Sequence, residues 1–377
     1  MKINVKHSHG SYSVFVFEDQ LAQHLKKSKL LKTKNLFVVI DSNVYKLHWK
    51  KLYEDLNRES SILNVYKFSA KEKNKSHTEL IKILKSMFDN RCRRDTLLVS
   101  IGGGITGDIS AMAASIFMRG IDYINIPTTL LSIVDSSVGG KTGINFNSGK
   151  NLVGTFYQPK AVFTDISFLY TLPERELQSG LGEVIKYSFI APEKEKTFFH
   201  RSFNIIINKN YNNFIKIISK CVKIKSALVE NDEREVTGSR KVLNFGHTFA
   251  HGIESASDHK IKHGEAVVFG IITSLFYSYR EKLITAEYLF ENLLDIQPAV
   301  VPFKKYYKLI NPEIVFKSML GDKKNNSSGI SLVLINQSNE ILVNYSGNKN
   351  GIIKSLIDMK VWVKESSGMF KKETVEK

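Results

Sequence analysis

Histidines and a glutamate at helical spacing form the first candidate site for chemistry. The string GLGEVIKY places Glu183 and Lys186 three residues apart, so on a helix both side chains point the same way. LNFGHTFAH places His247 and His251 one turn apart, and His263 opens the helix predicted after them. One carboxylate with two or three imidazoles on separate helices is typical of a catalytic zinc site with open coordination positions. The spacing is not HExxH, and it leaves open whether His251 or His263 is the second imidazole ligand.

Polar neighbours favour a metal site over an ordinary histidine pair. Two histidines one turn apart also occur on helix faces that bind nothing. Here Asn244 shares the face of the pair, Arg240 precedes it by one further turn, and glycine flanks His263. We therefore interpret this region as a metal site rather than as a structural or surface feature.

A glycine-rich string marks a second candidate site. VSIGGGITGD is a buried-strand pattern followed by four glycines in six residues. It is not the GxGxxG fingerprint, but glycines at a helix start let backbone N–H groups approach a pyrophosphate. The alternative is a plain strand–turn–helix junction, which the string alone does not exclude.

A lysine block forms a third candidate site. In DSSVGGKTG the ending resembles a P-loop, but the first glycine of GxxxxGKT would fall at Asp135, so a P-loop is excluded. Lys141, Lys150 and Asn151 remain as donors on glycine-rich backbone, which suits an anionic, oxygen-rich ligand. The alternative is a structural loop with exposed lysines.

The predicted secondary structure that positions these residues changes along the chain, from alternating strands and helices to helices alone with a late hairpin. Apolar runs predict strands over residues 36–40, 96–101 and 123–126, and helical spacing predicts helices over residues 78–88 and 108–118. Long helical stretches are predicted over residues 176–190, 214–230, 245–257 and 264–281, with a late hairpin over 330–335 and 340–343 and a frayed tail from Lys364. The pattern predicts a parallel α/β sheet in the N-terminal part and a mostly α-helical C-terminal part.

The large positive charge is not evidence for a nucleic-acid partner. The 377 residues carry a net charge of +17, but 44 of the cations are lysine and only 10 are arginine, the residue that reads bases and phosphates. Residues 1–100 carry a net charge of +10, whereas residues 101–200 carry −1. We interpret most of this lysine as solvated surface and expect no specific nucleic-acid binding.

Composition also limits the class of protein that we expect and its location in the cell. Apolar residues make up 42% of the chain, enough for sizeable cores. Cys92 and Cys221 are the two cysteines, so a disulfide scaffold and a CxxC zinc module are excluded. We find no apolar run of membrane-spanning length and no signal-peptide pattern. We therefore expect a soluble cytoplasmic protein with no membrane partner.

Ordered strings along the chain resemble a known enzyme family. Between about residues 41 and 343 the chain contains GGGITGD, MRG, IPTTLL, VDSSVGGKTGIN, GKN, FYQPK, TLPERE, SGLGEVIKY, LNFGHTFAH and HGEAV. Together they resemble the 3-dehydroquinate synthase family of sugar-phosphate cyclases. The resemblance implies a Rossmann-like NAD-binding domain over residues 1–170 and a mostly α-helical zinc and substrate domain over residues 171–377.

The resemblance also implies a reaction. The family's substrate is the phosphosugar acid 3-deoxy-D-arabino-heptulosonate 7-phosphate. A ring hydroxyl is transiently oxidised by NAD, phosphate leaves by β-elimination, the hydride returns, and ring opening with an aldol step closes 3-dehydroquinate. This reaction belongs to the shikimate pathway of aromatic amino acid biosynthesis. Zinc, with cobalt as a possible substitute, and a homodimer are implied as well.

Site residues follow by position in the matching strings. The implied zinc ligands are Glu183, His247 and His263, and His251 is implied as a catalytic-site histidine. The implied substrate-facing residues are Arg119, Asp135, Lys141, Asn151, Lys186, Lys225, Arg240, Asn244 and Lys323. The implied NAD contacts are Asp41, Asn43, Glu72, Lys75, Gly103, Gly104, Asp108, Thr128, Thr129, Lys141, Lys150 and Thr171. Gly182 and Gly143 stand where alanine is more common, and one extra residue before Arg240 leaves Lys223 as an alternative to Lys225.

Three other functions stay open at the level of sequence. A different sugar-phosphate cyclase would make another cyclitol from another phosphosugar. A glycerol-type NAD- and metal-dependent dehydrogenase would need no lysine cluster for a phosphate and would accumulate NADH. A basic nucleic-acid-binding module would depend on the overall charge.

Overall fold

The computed structural model describes residues 1–32, 35–58, 62–147, 149–321 and 330–366. Its strands are β1 (Lys2–His7), β2 (Gly10–Phe17), β3 (Asn35–Asp41), β4 (Ile62–Phe68), β5 (Leu97–Gly102), β6 (Tyr123–Pro127), β7 (Ile144–Phe146), β8 (Gly149–Val153), β9 (Ala161–Asp165), β10 (Ile330–Ile335) and β11 (Ile341–Gly347). Its α-helices are α1 (Leu21–Ser28), α2 (Ser42–Asn57), α3 (His77–Asp89), α4 (Gly104–Ile116), α5 (Glu174–Ile190), α6 (Glu193–Ile207), α7 (Phe214–Asn231), α8 (His247–Ala256), α9 (His263–Arg280), α10 (Ala286–Val300), α11 (Pro312–Leu320) and α12 (Lys349–Glu365).

The chain separates into two compact units that are interleaved in sequence. The first unit contains residues 1–177 and 211–234, and the second contains residues 178–210 and 235–377. Helix α7 therefore belongs to the first unit, although the segments before and after it belong to the second. The domain boundary after residue 170 stays a prediction.

A seven-stranded sheet forms the first unit. Its strand order is β1-β2-β9-β6-β5-β3-β4, and every neighbouring pair is parallel except β1 with β2. Alternate residues of β3 enter two different apolar clusters, Val38 in one and Phe37 in the other, so both faces of the sheet are covered. Burial on both faces explains why these strands appear in the sequence as continuous apolar runs.

The predicted α/β class and its strands are confirmed, with one difference at the glycine string. The helix predicted over residues 108–118 is α4, which begins four residues earlier at Gly104. The glycines therefore form the end of β5 and the first turns of the helix rather than a loop ahead of it. No side chain caps this helix start, since its cap residue is Gly103.

Helices make up most of the second unit. Helix α9 is buried along nearly its whole length and packs against α8, α10, α12 and β10. Strands β10 and β11 pair antiparallel and confirm the predicted late hairpin. The end of the tail predicted to fray, residues 367–377, lies outside the described residues. Among the described residues, no helix combines the length and apolar character that a membrane crossing requires.

Candidate active site

A buried carboxylate lies at the centre of the candidate metal site in the second unit. Glu183 on α5 has an exposed fraction of 0%, and one of its oxygens, Oε1, lies 3.3 Å from His247 Nε2 and 3.2 Å from His263 Nε2. Its other oxygen, Oε2, lies 2.5 Å from the ammonium group of Lys186, whose exposed fraction is 1%. Three helices thus bring one carboxylate and two imidazoles to a single point.

The second nitrogen of each imidazole faces an oxygen acceptor. His247 Nδ1 lies 3.3 Å from the backbone oxygen of Phe245, and His263 Nδ1 lies 3.2 Å from Glu254 Oε2. In a neutral ring that keeps its proton on Nδ1, the lone pair of Nε2 is available to a metal ion on the side that faces Glu183. Ligands bonded to a tetrahedral zinc ion at about 2.0–2.2 Å lie roughly 3.3–3.5 Å apart, close to the two separations observed.

The pKa values of these three side chains are shifted in different directions. Burial raises the pKa of Glu183, but Lys186 and His247 outweigh it and hold that pKa well below its usual range. Burial lowers the pKa of His247 to about 4 against the attraction of Glu183. Burial also lowers the pKa of His263, but Glu254 and Glu183 outweigh it and raise that pKa to about 10. A metal ion that binds His263 must therefore displace a proton.

A close helix contact fixes His263 relative to Glu183. The residue after His263 is Gly264, where an added Cβ would lie 1.6 Å from the backbone oxygen of Ser179 on α5. An added Cβ at Gly182, beside Glu183, would lie 2.1 Å from the backbone oxygen of Gly264. Only glycine permits the two backbones to come this near. The departure noted at Gly182 is therefore explained by this contact.

The start of α8 is fixed in a similar way. Gly246 has a φ of +79°, the left-handed region that favours glycine, and His247 follows it as the first residue of the helix. An added Cβ at Gly270 on α9 would lie 2.1 Å from the Gly246 backbone oxygen. The helix predicted from residue 245 begins at His247 because this turn interrupts it.

Three further predicted polar residues of the second unit lie close in sequence to His247. Arg240 is 2% exposed, and its Nε lies 3.7 Å from Glu235 Oε1. Asn244 ends the short 3₁₀ helix that contains Arg240. The ring of His251 lies 5.8 Å from that of His247 and 6.2 Å from that of His263, centre to centre. The group of possible metal ligands that contains Glu183 includes His263 and not His251.

In the first unit several of the predicted NAD contacts lie at the carboxyl ends of neighbouring parallel strands. Asp41 ends β3 and accepts hydrogen bonds from Asn43 N at 2.6 Å and Val44 N at 3.3 Å as the cap of α2. Gly103 and Gly104 follow β5, while Thr128 and Thr129 follow β6. Thr128 N donates to the Gly102 oxygen at 3.0 Å, and an added Cβ at Gly103 would lie 3.0 Å from Thr129 Cγ2. Parallel sheets bind nucleotides at this edge.

A buried lysine joins several of the predicted residues. Lys75, 4% exposed, pairs with Asp108 and donates to Asn151 Oδ1 at 2.5 Å. Burial raises the pKa of Asp108, and Lys75 opposes that rise. Asn145 on β7 donates to Glu72 Oε1 at 2.8 Å and accepts from Asn151 N at 3.0 Å. One hydrogen-bonded network thus holds residues predicted for NAD together with one predicted for substrate.

A second ion pair in this unit contains two predicted substrate residues. Lys225 on α7 is 5% exposed, and its ammonium lies 3.0 Å from Asp135 Oδ1. It also donates to the Asp135 backbone oxygen at 2.5 Å, within a single π-helical turn, Ser132–Ser136. Lys223, the alternative from the sequence, is exposed. The substrate roles of Asp135 and Lys225 stay predictions.

The remaining predicted residues lie at different places. The Thr171 hydroxyl shares a hydrogen bond of 2.7 Å with His48 Nε2. Lys141 is exposed and forms an isolated β-bridge with Phe156. Lys150 lies on β8. Arg119 is exposed beyond the far end of α4, about 20 Å along that helix from the glycine string. Lys323 lies outside the described residues.

Three residues with direct contacts to the candidate site were missed by the sequence reasoning. They are Glu235 beside Arg240, Asn145 in the Lys75 network and Glu254 beside His263. Glu254 follows His247 by seven residues, which is two turns along the same helix face. That spacing is the signal that could have identified it.

Comparison with known proteins places the chain in a family. Models described as the N-terminal and C-terminal parts of 3-dehydroquinate synthase match residues 65–179 and 180–325. The chain belongs to the 3-dehydroquinate synthase family. The 3-dehydroquinate synthase of Pelagibacter ubique (strain HTCC1062) is 39% identical over 352 residues, which cover 89% of this chain and 92% of that protein. The resemblance read from the sequence strings is confirmed.

Solved structures share the fold of this 3-dehydroquinate synthase family member. A 2-deoxy-scyllo-inosose synthase complexed with carbaglucose-6-phosphate, NAD+ and Co2+ matches with a TM-score of 0.86 and 22% identity, covering 95% of this chain and 100% of that one. A 2-epi-5-epi-valiolone synthase from Streptomyces hygroscopicus subsp. jinggangensis 5008, with NAD+ and Zn2+ bound, matches with a TM-score of 0.84 and 23% identity, covering 94% and 98%. These likenesses confirm the predicted fold.

Proposed function

We propose that this chain is a 3-dehydroquinate synthase that depends on NAD and a divalent metal ion. It converts 3-deoxy-D-arabino-heptulosonate 7-phosphate to 3-dehydroquinate and phosphate. One observation carries the proposal: in a chain of this family, Glu183 Oε1 lies within 3.3 Å of Nε2 of both His247 and His263. A carboxylate with two neutral imidazole nitrogens is a donor set for catalytic zinc.

The residues fit a metal ion. Oε1 of Glu183 is buried beside the two imidazoles and, within the described part of the chain, makes no hydrogen bond of good geometry, whereas Oε2 pairs with the Lys186 ammonium. A buried carboxylate needs such partners or a metal ion. We assign Glu183, His247 and His263 as ligands of zinc, with cobalt as the possible substitute, as in the related cyclases whose structures hold Zn2+ or Co2+.

The first unit fits NAD. The start of α4 offers unpaired backbone N–H groups without a side-chain cap, which is the ordinary site for a pyrophosphate. A side chain at Gly103 would fill the space beside Thr129, so glycine keeps this edge open. We assign the NAD contacts to the residues implied by the resemblance, and the two related cyclase structures hold NAD+.

The chain's own residues would bind the phosphosugar acid and move its protons. When bound, the metal supplies Lewis-acid polarisation of the reacting hydroxyl, and NAD supplies a reversible hydride acceptor. Arg240 offers a planar fork suited to a carboxylate or phosphate, and Asn244 adds an amide. Lys186 holds a buried positive charge beside Glu183. His251, beside both ligand imidazoles, is placed to hold or pass a proton.

The proposal extends to the assembly and location of the enzyme. We propose a homodimer in the cytoplasm. Four apolar side chains in and after the β7–β8 hairpin are 39–46% exposed, which supports a protein interface there: Phe146, Leu152, Val153 and Phe156. Light scattering coupled to size-exclusion chromatography would give twice the chain mass, and a monomer mass would contradict the dimer.

A phosphate-release assay tests the proposed function. The purified protein is incubated with the heptulosonate 7-phosphate, NAD and Zn2+, and inorganic phosphate and absorbance at the NADH wavelength are followed together. We expect phosphate and a carbocyclic product at equal amounts with no net NADH, because the hydride is returned in each turnover. Glucose 6-phosphate and a heptulose 7-phosphate without the carboxylate serve as parallel substrates.

Each alternative function predicts a different result. Phosphate release from one of the parallel substrates, with none from the heptulosonate, would indicate another sugar-phosphate cyclase. NADH that accumulates with glycerol or a similar polyol, without phosphate release, would indicate a dehydrogenase. Either result would contradict the proposal.

A further inference from the structure

Glu254 is a buried carboxylate on the outer side of one proposed metal ligand. Its side chain is 7% exposed, and its Oε2 lies 3.2 Å from Nδ1 of His263. The opposite nitrogen of that ring, Nε2, lies 3.2 Å from Glu183 Oε1. One imidazole therefore bridges two carboxylates, one facing the proposed metal position and one facing away from it.

We propose that Glu254 is a positioning residue for the metal centre: it accepts the Nδ1 proton of His263, which fixes the ring orientation and directs the Nε2 lone pair to the metal ion. This role rests on the proposed function, since it presumes that the ion binds among Glu183, His247 and His263. A carboxylate behind a ligand histidine also increases the basicity of the coordinating nitrogen.

The structure gives the alternative, a second metal site, less support. His251, Glu254 and His263 also form a group whose possible ligand atoms lie close together. A neutral imidazole has only one lone pair, and His263 Nε2 already faces Glu183. Ions on both nitrogens would require the ring to lose both protons. Glu254 therefore fits an acceptor of the Nδ1 hydrogen bond better than it fits a metal ligand.

The helix geometry explains why Glu254 can perform this role. Glu254 lies on α8 two turns after His247, so both side chains lie on the same face. Helices α8 and α9 pack closely, and His263 is the first residue of α9. Because His263 remains one-third exposed, packing alone does not immobilise its ring, and the hydrogen bond to Glu254 supplies the missing constraint.

Two substitutions at one position separate orientation from charge. Glu254→Gln keeps an oxygen that can accept the Nδ1 proton but removes the charge, whereas Glu254→Leu removes the acceptor. The matched control is Glu265→Gln: Glu265 is 0% exposed, lies two residues from His263, and accepts from Lys262 N at 2.8 Å. Glutamine can accept that bond equally. His247→Ala reports on the metal centre itself.

Zn2+ affinity of the metal-free protein is measured by competition with a chromophoric chelator, and Zn2+ content by elemental analysis. We expect one Zn2+ per chain, with affinity about 10–100-fold lower in Glu254→Leu and about 3–10-fold lower in Glu254→Gln. Glu265→Gln should stay within about threefold of the unsubstituted protein. The visible spectrum of the Co2+ form, which reports the ligand field, should shift in both Glu254 variants and not in the control.

Several results would overturn the positioning role. Unchanged Zn2+ affinity in both Glu254 variants, with affinity lost in His247→Ala, would refute it and leave the metal centre intact. An equal loss in Glu254→Gln and Glu265→Gln would assign the effect to overall charge. Two Zn2+ per chain would make Glu254 a ligand. Unchanged affinity in His247→Ala would refute the metal centre and this role together. If Glu254→Leu does not fold, the Gln variant and its control decide.

Discussion

A single methyl group at Gly264 should disrupt the metal centre. In Gly264→Ala the new Cβ would lie 1.6 Å from the backbone oxygen of Ser179, whereas ordinary contacts begin at 3.4 Å. The backbones of α5 and α9 must therefore separate locally by about 1.8 Å. Neither atom belongs to a flexible side chain, so no rotation relieves the overlap. The displacement moves His263 away from Glu183, which is part of α5.

The expected losses follow from that displacement. Metal–ligand distances tolerate only about 0.2 Å, so a shift of about 1.8 Å removes one ligand and should lower Zn2+ affinity by at least about 100-fold. Forced separation of packed backbones costs about 3 kcal/mol, the upper end for overpacking, which corresponds to a fall of roughly 4 °C in the melting temperature of a chain of 377 residues. Chelator competition measures the affinity, and circular dichroism of the metal-free protein measures the melting temperature.

Two further variants make this prediction refutable. Gly270→Ala would place a Cβ 2.1 Å from the Gly246 oxygen, so we expect a smaller loss in the same direction, through His247. Gly321→Ala is the control, because among the described residues the nearest atom to its Cβ would be the Ser318 oxygen, at an ordinary contact distance of 3.6 Å. Equal affinities and melting temperatures for Gly264→Ala and Gly321→Ala would show that the close contact does not set the ligand geometry.

Three other predictions concern substrate, protons and packing. Arg240→Ala should raise KM for the phosphosugar about 100-fold or more, measured by steady-state kinetics, while the Kd for NAD changes less than about threefold, measured by calorimetry. Equal losses of affinity for the phosphosugar and for NAD would contradict a substrate role for Arg240. Zinc binding at pH 8 should release close to one proton, since the pKa of His263 is raised to about 10 and the ring must lose a proton to bind the ion. Calorimetry in two buffers of different ionisation enthalpy measures the number of protons released. A value near zero would contradict a protonated His263 at this pH. Lys225→Met should lower the free energy of unfolding in urea by about 1–3 kcal/mol, because Asp135 loses its ion pair with Lys225. Adding Asp135→Asn should restore part of that free energy, whereas full additivity of the two substitutions would rule out an energetic coupling between the two side chains.

The metal site shows how far sequence spacing reaches. Helical periodicity brought His247 and His251 to one face and could not decide whether His251 or His263 joins Glu183. That choice depends on how α9 approaches α5, a contact between residues about 80 positions apart that no local pattern encodes. The resemblance supplied the assignment, and the structure groups Glu183 with His247 and His263.

Local signals also determined which parts of the fold could be predicted. Strands such as β3 and β5 are buried on both faces, so their apolar runs are visible in the sequence. The start of α4 was placed too late because three consecutive glycines usually indicate a loop, whereas here Gly102 ends β5, Gly103 is the cap residue and Gly104 begins the helix. The return of α7 to the first unit depends on its packing against β1, which follows only from tertiary structure.

An anomalous difference map from a crystal grown with Zn2+, recorded at the zinc absorption edge, tests the metal centre most directly. We predict one peak per chain, about 2.0–2.2 Å from an oxygen of Glu183 and from Nε2 of His247 and His263. Glu254 should remain hydrogen-bonded to His263 Nδ1 and outside bonding distance of the peak. A peak elsewhere, or no peak among these three residues with the chain fully active, would contradict the metal site.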